Sequence, residues 1–152
     1  MSVSEATGDL FDPEFGFDVI GHGVNCMGAM GSGIAVPFRQ RNPEMFKQYS
    51  VMCMRGILLP GMVMPWKPKT GPVIFNIASQ YRTGKDAHLD YLEMGLLYCR
   101  FYMRMEGLKH LGLPRIGAGI GGLDWNAVKH IVEDLFGDDE EIHVTLVSLE
   151  GA

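Results

Sequence analysis

Apolar and polar positions along this chain follow two alternating periods, one typical of strands and one typical of helices. Short apolar runs that predict strands occur at residues 3–7, 19–25, 73–78, 111–116 and 142–149. Helical spacing, bounded by glycine or proline, predicts helices over residues 34–41, 43–54, 87–106 and 125–136. Asn42 and Asp86 are predicted to cap the amino ends of the second and third of these helices. Residues 61–72 contain several prolines and predict a further strand with a hairpin-like loop. We therefore expect a mixed, mostly parallel sheet with helices on both faces, a three-layer α/β/α sandwich.

Composition sets the size and class of the protein. With 152 residues, 47% of them hydrophobic and 20% charged, the chain fits a single domain, residues 1–152, with a core of its own. No apolar run could span a membrane and the amino terminus does not resemble a signal peptide, so we expect a cytoplasmic protein. We also expect a monomer. The three cysteines are odd in number and widely spaced, so we expect neither a disulfide framework nor a metal site.

The net charge of −5 argues against nonspecific nucleic-acid binding, which depends on lysine and arginine. It still allows an anionic small ligand, because backbone amides hold phosphate without basic side chains. Nonspecific nucleic-acid binding is therefore not expected.

Two glycine-rich segments follow predicted strands and are the main candidates for a ligand site. The first glycine loop is Gly28-Ala29-Met30-Gly31-Ser32-Gly33, and the second is Gly117-Ala118-Gly119-Ile120-Gly121-Gly122. One interpretation is that both are structural turns. The other is that glycine lets the backbone approach a diphosphate, with two sets of amides facing one ligand. Ligands of such sheets bind at the carboxyl ends of strands, where both loops are predicted to lie.

The second loop also has the G-x-G-x-x-G spacing of dinucleotide-binding folds, through Gly117, Gly119 and Gly122. That fold needs a further βαβ unit after the loop, and only about thirty residues remain. We therefore reject a nicotinamide-dependent oxidoreductase, which would also need a separate substrate domain.

Three polar residues near the predicted strand ends are candidates for contact with a ligand. His22 could act as a general acid or base, or could be a hydrogen-bonded structural residue. Asn25 could bind ribose hydroxyls, or could form an Asx turn leading into the first loop. Asp9 could accept a hydrogen bond from the exocyclic amine of a base, or could only shape a turn.

The segments Val24-Asn25-Cys26-Met27-Gly28-Ala29-Met30-Gly31-Ser32-Gly33-Ile34-Ala35 and Leu113-Pro114-Arg115-Ile116-Gly117-Ala118-Gly119-Ile120-Gly121-Gly122-Leu123-Asp124-Trp125 closely resemble the macrodomain family. The resemblance extends from Gly8 to the closing strand. Within the family, the chain is similar to the branch that contains the terminal ADP-ribose glycohydrolase, the DNA ADP-ribosyl glycohydrolase antitoxins and a yeast ADP-ribose 1''-phosphate phosphatase, together with phage-encoded relatives.

The resemblance implies that the chain binds ADP-ribose, with the adenine amine at Asp9, the distal ribose near Asn25 and the diphosphate between the loops. The implied ligand-binding residues are Asp9, Leu10, Asn25, Gly28, Met30, Gly31, Ser32, Gly33, Ile34, Gly117, Ala118, Gly119, Ile120, Gly121 and Gly122.

The chain departs from its relatives at two catalytic positions. Gln80 stands where the glycohydrolases have a nucleophilic lysine, and Gly121 stands where one of them has an aspartate; glutamine cannot form that covalent adduct. His22 matches a histidine of the phosphatase-like relative. We therefore expect hydrolysis of an ADP-ribosyl derivative, either ADP-ribose 1''-phosphate or ADP-ribosylated DNA or protein, with His22 and Asn25 as catalytic residues and without a metal or cofactor. Nucleic acid is expected as a partner only when it is such an ADP-ribosylated substrate. The alternative is a binding module without turnover.

Overall fold

The computed structural model describes residues 2–149; the ends of the predicted domain, Met1 and residues 150–152, lie outside the described residues. The strands are β1 Val3–Thr7, β2 Val19–Val24, β3 Val63–Trp66, β4 Val73–Ala78, β5 His110–Leu113 and β6 His143–Ser148. The helices are α1 Ala35–Arg41, α2 Pro43–Met54, α3 Leu89–Glu106 and α4 Trp125–Phe136, with a short 3-10 helix at Pro13–Phe15.

The strands form one sheet in the order β1-β6-β5-β2-β4-β3. All neighbours are parallel except β3 and β4, which form an antiparallel hairpin at one edge. The predicted mixed, mostly parallel sheet is therefore confirmed. Because five strands run the same way, the carboxyl ends of β1, β6, β5, β2 and β4 lie along one edge of the sheet.

Helices cover both faces of the sheet and bury two apolar clusters. One cluster joins α3 and α4 to the sheet through residues such as Leu96, Met103 and Val132. The other joins α1 and α2 to the opposite face through residues such as Phe38, Met45 and Tyr49. The protein is thus the three-layer α/β/α sandwich that the sequence predicts.

Two predicted helix caps have other roles. Asn42 makes no side-chain cap to α2; its Nδ2 donates to the Phe38 carbonyl, 3.1 Å away, and so closes α1. Asp86 does not cap α3, which begins at Leu89 rather than at residue 87. Instead its carboxylate accepts hydrogen bonds from the amides of Tyr81, at 3.1 Å, and Arg82, at 2.7 Å. Asp86 therefore fixes the loop that follows β4.

Candidate ligand-binding site

A cavity of about 540 Å³ lies along the carboxyl edge of the sheet. Each of the five parallel strands supplies part of its wall, through Asp9 after β1, Ser148 on β6, Arg115 after β5, Asn25 after β2 and Gln80 after β4. The cavity therefore runs across the sheet, and we call its two ends the β1 end, beside Asp9, and the β4 end, beside Gln80. Such a position is typical of ligand sites in α/β proteins.

Asn25 shapes the first glycine loop. Its Oδ1 accepts hydrogen bonds from the amide of Met27, at 3.0 Å, and from the Tyr49 hydroxyl, at 2.9 Å. Its Nδ2 donates to the carbonyl of Ala29, 2.8 Å away. Because the oxygen is already occupied, the second hydrogen of Nδ2 is the group that Asn25 has left to offer a ligand.

The tip of the first loop presents free backbone amides to the cavity. Within residues 2–149, the amides of Ser32, Gly33 and Ile34 donate to no protein acceptor, and all three residues line the cavity. Gly33 has a φ of +62°, which side-chain-bearing residues rarely adopt. These donors directly precede α1, so the first loop is suited to hold an anion.

The second glycine loop lies opposite the first. In the described part of the chain the amides of Gly119, Ile120 and Gly121 make no hydrogen bond to the protein. A Cβ added at Gly33 would come within 3.0 Å of the Ile120 Cδ1, so the two loops touch each other across the cavity. Donors on the two walls are therefore placed to bind one anionic group from both sides.

Gln80 and Gly121 meet at the β4 end of the cavity. The Gln80 Nε2 donates to the carbonyls of Arg82, at 2.6 Å, and Gly84, at 2.9 Å, so both of its hydrogens are used. A Cβ added at Gly121 would lie 3.1 Å from the Gln80 Oε1 and 2.7 Å from the Gly117 carbonyl oxygen. This end therefore offers an uncharged acceptor, and it has no room for a larger residue at position 121.

The β1 end of the cavity carries the charged groups. Asp9 and Arg115 are the only acidic and basic residues of the cavity wall within residues 2–149. The Asp9 Oδ1 accepts from the amide of Phe11, 2.9 Å away, which leaves Oδ2 free. The Arg115 Nε donates to the Ser148 hydroxyl, 3.1 Å away, and its guanidinium lies 5.5 Å from the Trp125 ring centroid.

His22 does not reach this cavity. Its side chain is fully buried, stacks on the Phe38 ring with centroids 3.8 Å apart, and donates from Nε2 to the Asn76 Oδ1 at 2.7 Å. Burial lowers the pKa of His22 to about 4 despite that hydrogen bond, so the ring is neutral. This position does not support the catalytic role expected of His22, because the Phe38 ring of α1 covers the imidazole and His22 does not line the cavity.

The structure brings most of the predicted ligand-binding residues to the cavity wall: Asp9, Leu10, Asn25, Gly31, Ser32, Gly33, Ile34, Gly117, Gly119, Ile120 and Gly121. It places four others outside the wall: Gly28, Met30, Ala118 and Gly122. Met30 is buried in the core, and Gly28 lies close to Ser50 and Cys53 on α2. These two residues therefore anchor the first loop rather than face the ligand.

Several wall residues were not predicted, among them Ser79, Thr83, Gly84, Arg115, Val147, Ser148 and Leu149. Five of these seven lie at or just beyond the carboxyl ends of β4, β5 or β6, so the rule that ligands bind at the carboxyl ends of strands could have identified them. Thr83 and Gly84 belong to the loop that Gln80 and Asp86 hold, and no sequence signal identified that loop as part of the site.

Two negative findings apply to residues 2–149. That part of the chain contains no cluster of three or more metal-ligating side chains. None of its helices is long and apolar enough to cross a membrane.

The family model described as "Macro domain" matches residues 22–132. The chain belongs to the Macro domain family. The resemblance inferred from the two glycine loops is thereby confirmed, and the two loops of this macrodomain lie inside the matched region.

Curated relatives of the macrodomain carry two kinds of enzyme name. DNA ADP-ribosyl glycohydrolase of Mycobacterium tuberculosis is 31% identical over 137 residues, which cover 88% of this chain and 38% of the relative. ADP-ribose 1''-phosphate phosphatase of Lodderomyces elongisporus is 23% identical over 158 residues, which cover 95% of this chain and 99% of the relative. The macrodomain therefore spans well under half the length of the first relative.

Solved structures agree with this assignment. The macrodomain of Mycobacterium tuberculosis DarG is 28% identical, with a TM-score of 0.86 over 95% of this chain and 96% of the other. The macrodomain of Thermus aquaticus DarG is 26% identical, with a TM-score of 0.84 over 95% of this chain and 97% of the other.

Proposed function

We propose that this macrodomain binds ADP-ribose in the cavity and hydrolyses an ADP-ribosyl derivative at the distal ribose. The observation that carries the proposal is the contact between the two glycine loops, which places two sets of free amides around one space. A diphosphate between them would receive hydrogen bonds from both walls. Lysine is not needed for this, because amide dipoles in a partly enclosed site bind phosphate well.

The two ends of the cavity fit the two ends of ADP-ribose. At the β1 end, the free Oδ2 of Asp9 can accept a hydrogen bond from the adenine amine. At the β4 end, the remaining Nδ2 hydrogen of Asn25 and the Oε1 of Gln80 can bind the distal ribose or a water beside it. This orientation agrees with the names of the relatives, which describe chemistry at the ribose or its 1''-phosphate.

Hydrolysis would then depend on positioning rather than on a covalent intermediate. The Gln80 Oε1 accepts a hydrogen bond from a water molecule at the β4 end and so orients one of its lone pairs toward the bond to be broken. Water adds across that bond, free ADP-ribose forms, and the leaving group departs with the proton. Asn25 keeps the ribose in place while this occurs.

A specific observation favours a second function, binding without turnover. The β4 end carries Gln80 and Gly121 where the resemblance implies lysine and aspartate, so within residues 2–149 it offers neither a lysine nucleophile nor a carboxylate general base. A macrodomain of this kind would sequester ADP-ribose or recognise ADP-ribosylated molecules.

One experiment separates the two functions. The purified chain is incubated separately with ADP-ribose 1''-phosphate, ADP-ribosylated DNA and ADP-ribosylated protein, and free ADP-ribose is measured by chromatography, with calorimetric titration of ADP-ribose in parallel. Release from one substrate supports the hydrolase and identifies the linkage. Binding without release supports the second function, and neither binding nor release contradicts the site assignment.

We further propose that one copy of the chain holds a complete site and that it functions in the reducing cytoplasm. All cavity residues named above come from the same chain, so a monomer suffices for binding. Cys26, Cys53 and Cys99 are free thiols, and burial raises the pKa of Cys26 to about 12, which keeps it protonated and unreactive. Gel filtration and a thiol assay on protein purified without reductant test these two points.

A further inference from the structure

Arg115 is an exposed residue of the cavity wall, yet three contacts fix its position. Its backbone carbonyl accepts a hydrogen bond from the Ala118 amide, 3.1 Å away in the second glycine loop. Its Nε donates to the Ser148 hydroxyl at 3.1 Å, and its guanidinium lies over the Trp125 ring, 5.5 Å from the centroid. A guanidinium at this distance from an indole ring is stabilised by a cation–π interaction. Arg115 is therefore pre-organised, although the binding of ADP-ribose proposed above gives it no role.

Most of the hydrogen-bonding capacity of the Arg115 guanidinium is unused. Of its N–H groups, only the one on Nε has a protein acceptor within residues 2–149, so the N–H groups of Nη1 and Nη2 are all available. In the same part of the chain Arg115 takes part in no ion pair. The Ser148 hydroxyl accepts from Arg115 and so keeps its own hydrogen for a further partner. A full positive charge and several donors therefore remain at this point of the wall.

The order of the strands places Arg115 beside the proximal ribose, the adenosine ribose of a bound ADP-ribose. Along the carboxyl edge the wall runs from Asp9 after β1, past Ser148 on β6, to Arg115 after β5. The Ser148 carbonyl accepts from the Gly8 amide at 2.9 Å, so Ser148 lies next to the proposed adenine position. Two strand spacings separate β1 from β5, about 10 Å, which is close to the length of adenosine from its amine to its ribose hydroxyls. With adenine at Asp9 and the diphosphate between the glycine loops, the proximal ribose lies over β6 and β5.

The donors that remain at Arg115 suit an anion better than a neutral ribose. Ribose hydroxyls need no positive charge, and the diphosphate already receives the free amides of the two glycine loops. A phosphate monoester carries close to two negative charges and three strong acceptor oxygens, and the planar fork of an arginine binds two such oxygens at once. Dinucleotide-binding sites likewise use an arginine to accommodate a phosphate on the ribose 2' position.

We propose that the cavity also accepts ADP-ribose whose proximal ribose carries a phosphate on its 2' or 3' hydroxyl, and that Arg115 and Ser148 bind this phosphate. The inference rests on the proposed function, because that function sets the orientation of the ligand. The Nη1 and Nη2 groups of Arg115 donate to two phosphate oxygens, and the Ser148 hydroxyl donates to the third. Because Arg115 is exposed, the phosphate keeps part of its hydration and its desolvation costs little.

The first test compares ligands on the unmodified chain. ADP-ribose, ADP-ribose 2'-phosphate and ADP-ribose 3'-phosphate are titrated separately by calorimetry. At low salt one phosphorylated ligand should bind about tenfold more tightly than ADP-ribose, as expected for charge-assisted bidentate hydrogen bonds at an exposed site, and the gain should shrink at high salt. The ligand that gains identifies the hydroxyl. Binding of ADP-ribose with no gain from either phosphate overturns this inference alone, whereas binding of none of the three overturns the proposed function as well.

The second test assigns the gain to Arg115. Arg115→Leu removes the charge and the donors, so the ratio of the Kd for ADP-ribose to the Kd for the phosphorylated ligand should fall from about ten to about one or below. Arg115→Lys keeps the charge but not the planar fork and should keep only part of the ratio. Arg55→Leu, at an exposed arginine outside the cavity wall, is the matched control and should leave the ratio unchanged. A ratio that survives Arg115→Leu overturns the inference, and thermal unfolding checks that each variant is folded.

A third test uses phosphorus NMR to separate this role from binding of the diphosphate. The monoester resonance of the phosphorylated ligand should shift on binding to the wild type and should stay near its free position in Arg115→Leu saturated with the same ligand. The two diphosphate resonances should shift alike in both proteins, because the loop amides hold them in both. If Arg115→Leu instead changes the diphosphate resonances and leaves the monoester shift intact, Arg115 binds the diphosphate and the inference is overturned.

Discussion

Strands β2 and β4 place polar residues side by side in two regions of the molecule. The hydrogen bonding and the exposure of these residues differ between the two regions. Inside the sheet, His22 and Asn76 hydrogen-bond each other beneath α1, with no exposed surface. At the carboxyl edge, Asn25 and Gln80 also bond to the protein, but each keeps one hydrogen-bonding group facing the cavity. Polar residues therefore contribute to stability in the interior and to ligand binding at the edge, although only two or three residues separate them along each strand.

The largest expected effect is a loss of ADP-ribose affinity at the carboxyl edge of the sheet. Gly33→Glu adds a side chain where a Cβ alone would lie 3.0 Å from Ile120, and it adds negative charge beside the diphosphate site. We expect ADP-ribose affinity to fall at least about 1000-fold, with the stability of the interior little changed. Calorimetric titration measures the affinity. Gly31→Ala, at a position with open space around it, is the control and should cost less than about tenfold.

The second largest expected effect is a pH dependence of the free energy of unfolding, which comes from the buried His22. The pKa of His22 is lowered to about 4 in the folded protein, while the unfolded chain has an ordinary histidine pKa near 6.5. The unfolded state therefore binds more protons between these values, and the free energy of unfolding falls by about 3 kcal/mol as pH drops from 6.5 to 4.

Urea unfolding of the wild type and of His22→Leu at several pH values measures this pH-dependent part of the free energy of unfolding. The variant should lose that part of the pH slope, and at pH 7 it should be less stable because the buried Asn76 Oδ1 loses its donor. Turnover by the folded variant should be unchanged. A variant with normal stability and no turnover would instead indicate that His22 has a catalytic role.

The third effect tests the β1 end of the cavity. Asp9→Asn keeps an oxygen for the turn with Phe11 but replaces the free acceptor with a donor. We expect ADP-ribose binding to weaken by about tenfold to thirtyfold, about 2 kcal/mol, with kcat unchanged. Inosine diphosphate ribose has a carbonyl oxygen in place of the exocyclic amine, so it should bind the variant at least as tightly as the wild type, because the new Nδ2 can donate to that oxygen. If the variant binds both ligands more weakly than the wild type by the same factor, Asp9 does not recognise the adenine amine.

The smallest effect tests the β4 end. Gln80→Ala removes the acceptor beside Gly121, and kcat should fall about tenfold while the Kd for ADP-ribose changes less than about threefold. Arg82→Ala is the matched control, because only the backbone carbonyl of Arg82 bonds to Gln80. A rise in Kd with normal kcat would assign Gln80 to binding instead.

The sequence predicted the sheet, the four helices and both glycine loops, because these depend on local periodicity and on glycine spacing. It did not distinguish the buried His22 from Asn25 at the cavity, because the alternation of apolar and polar residues along a strand does not show which part of the strand a distant helix covers. The Phe38 ring that covers His22 comes from α1. Asp86 was misassigned for a similar reason. An aspartate before a helix resembles a cap, but here its acceptors serve the amides of residues 81 and 82.

The contact between Gly33 and Ile120 also has a kinetic consequence. Because the Ile120 side chain reaches across to the first glycine loop, it narrows the part of the cavity mouth that lies between the two loops. We therefore expect this side chain to slow the exchange of bound nucleotide, with association below the diffusion limit. Trimming Ile120 to alanine should accelerate entry and exit together, so that stopped-flow traces change while the equilibrium constant stays nearly the same.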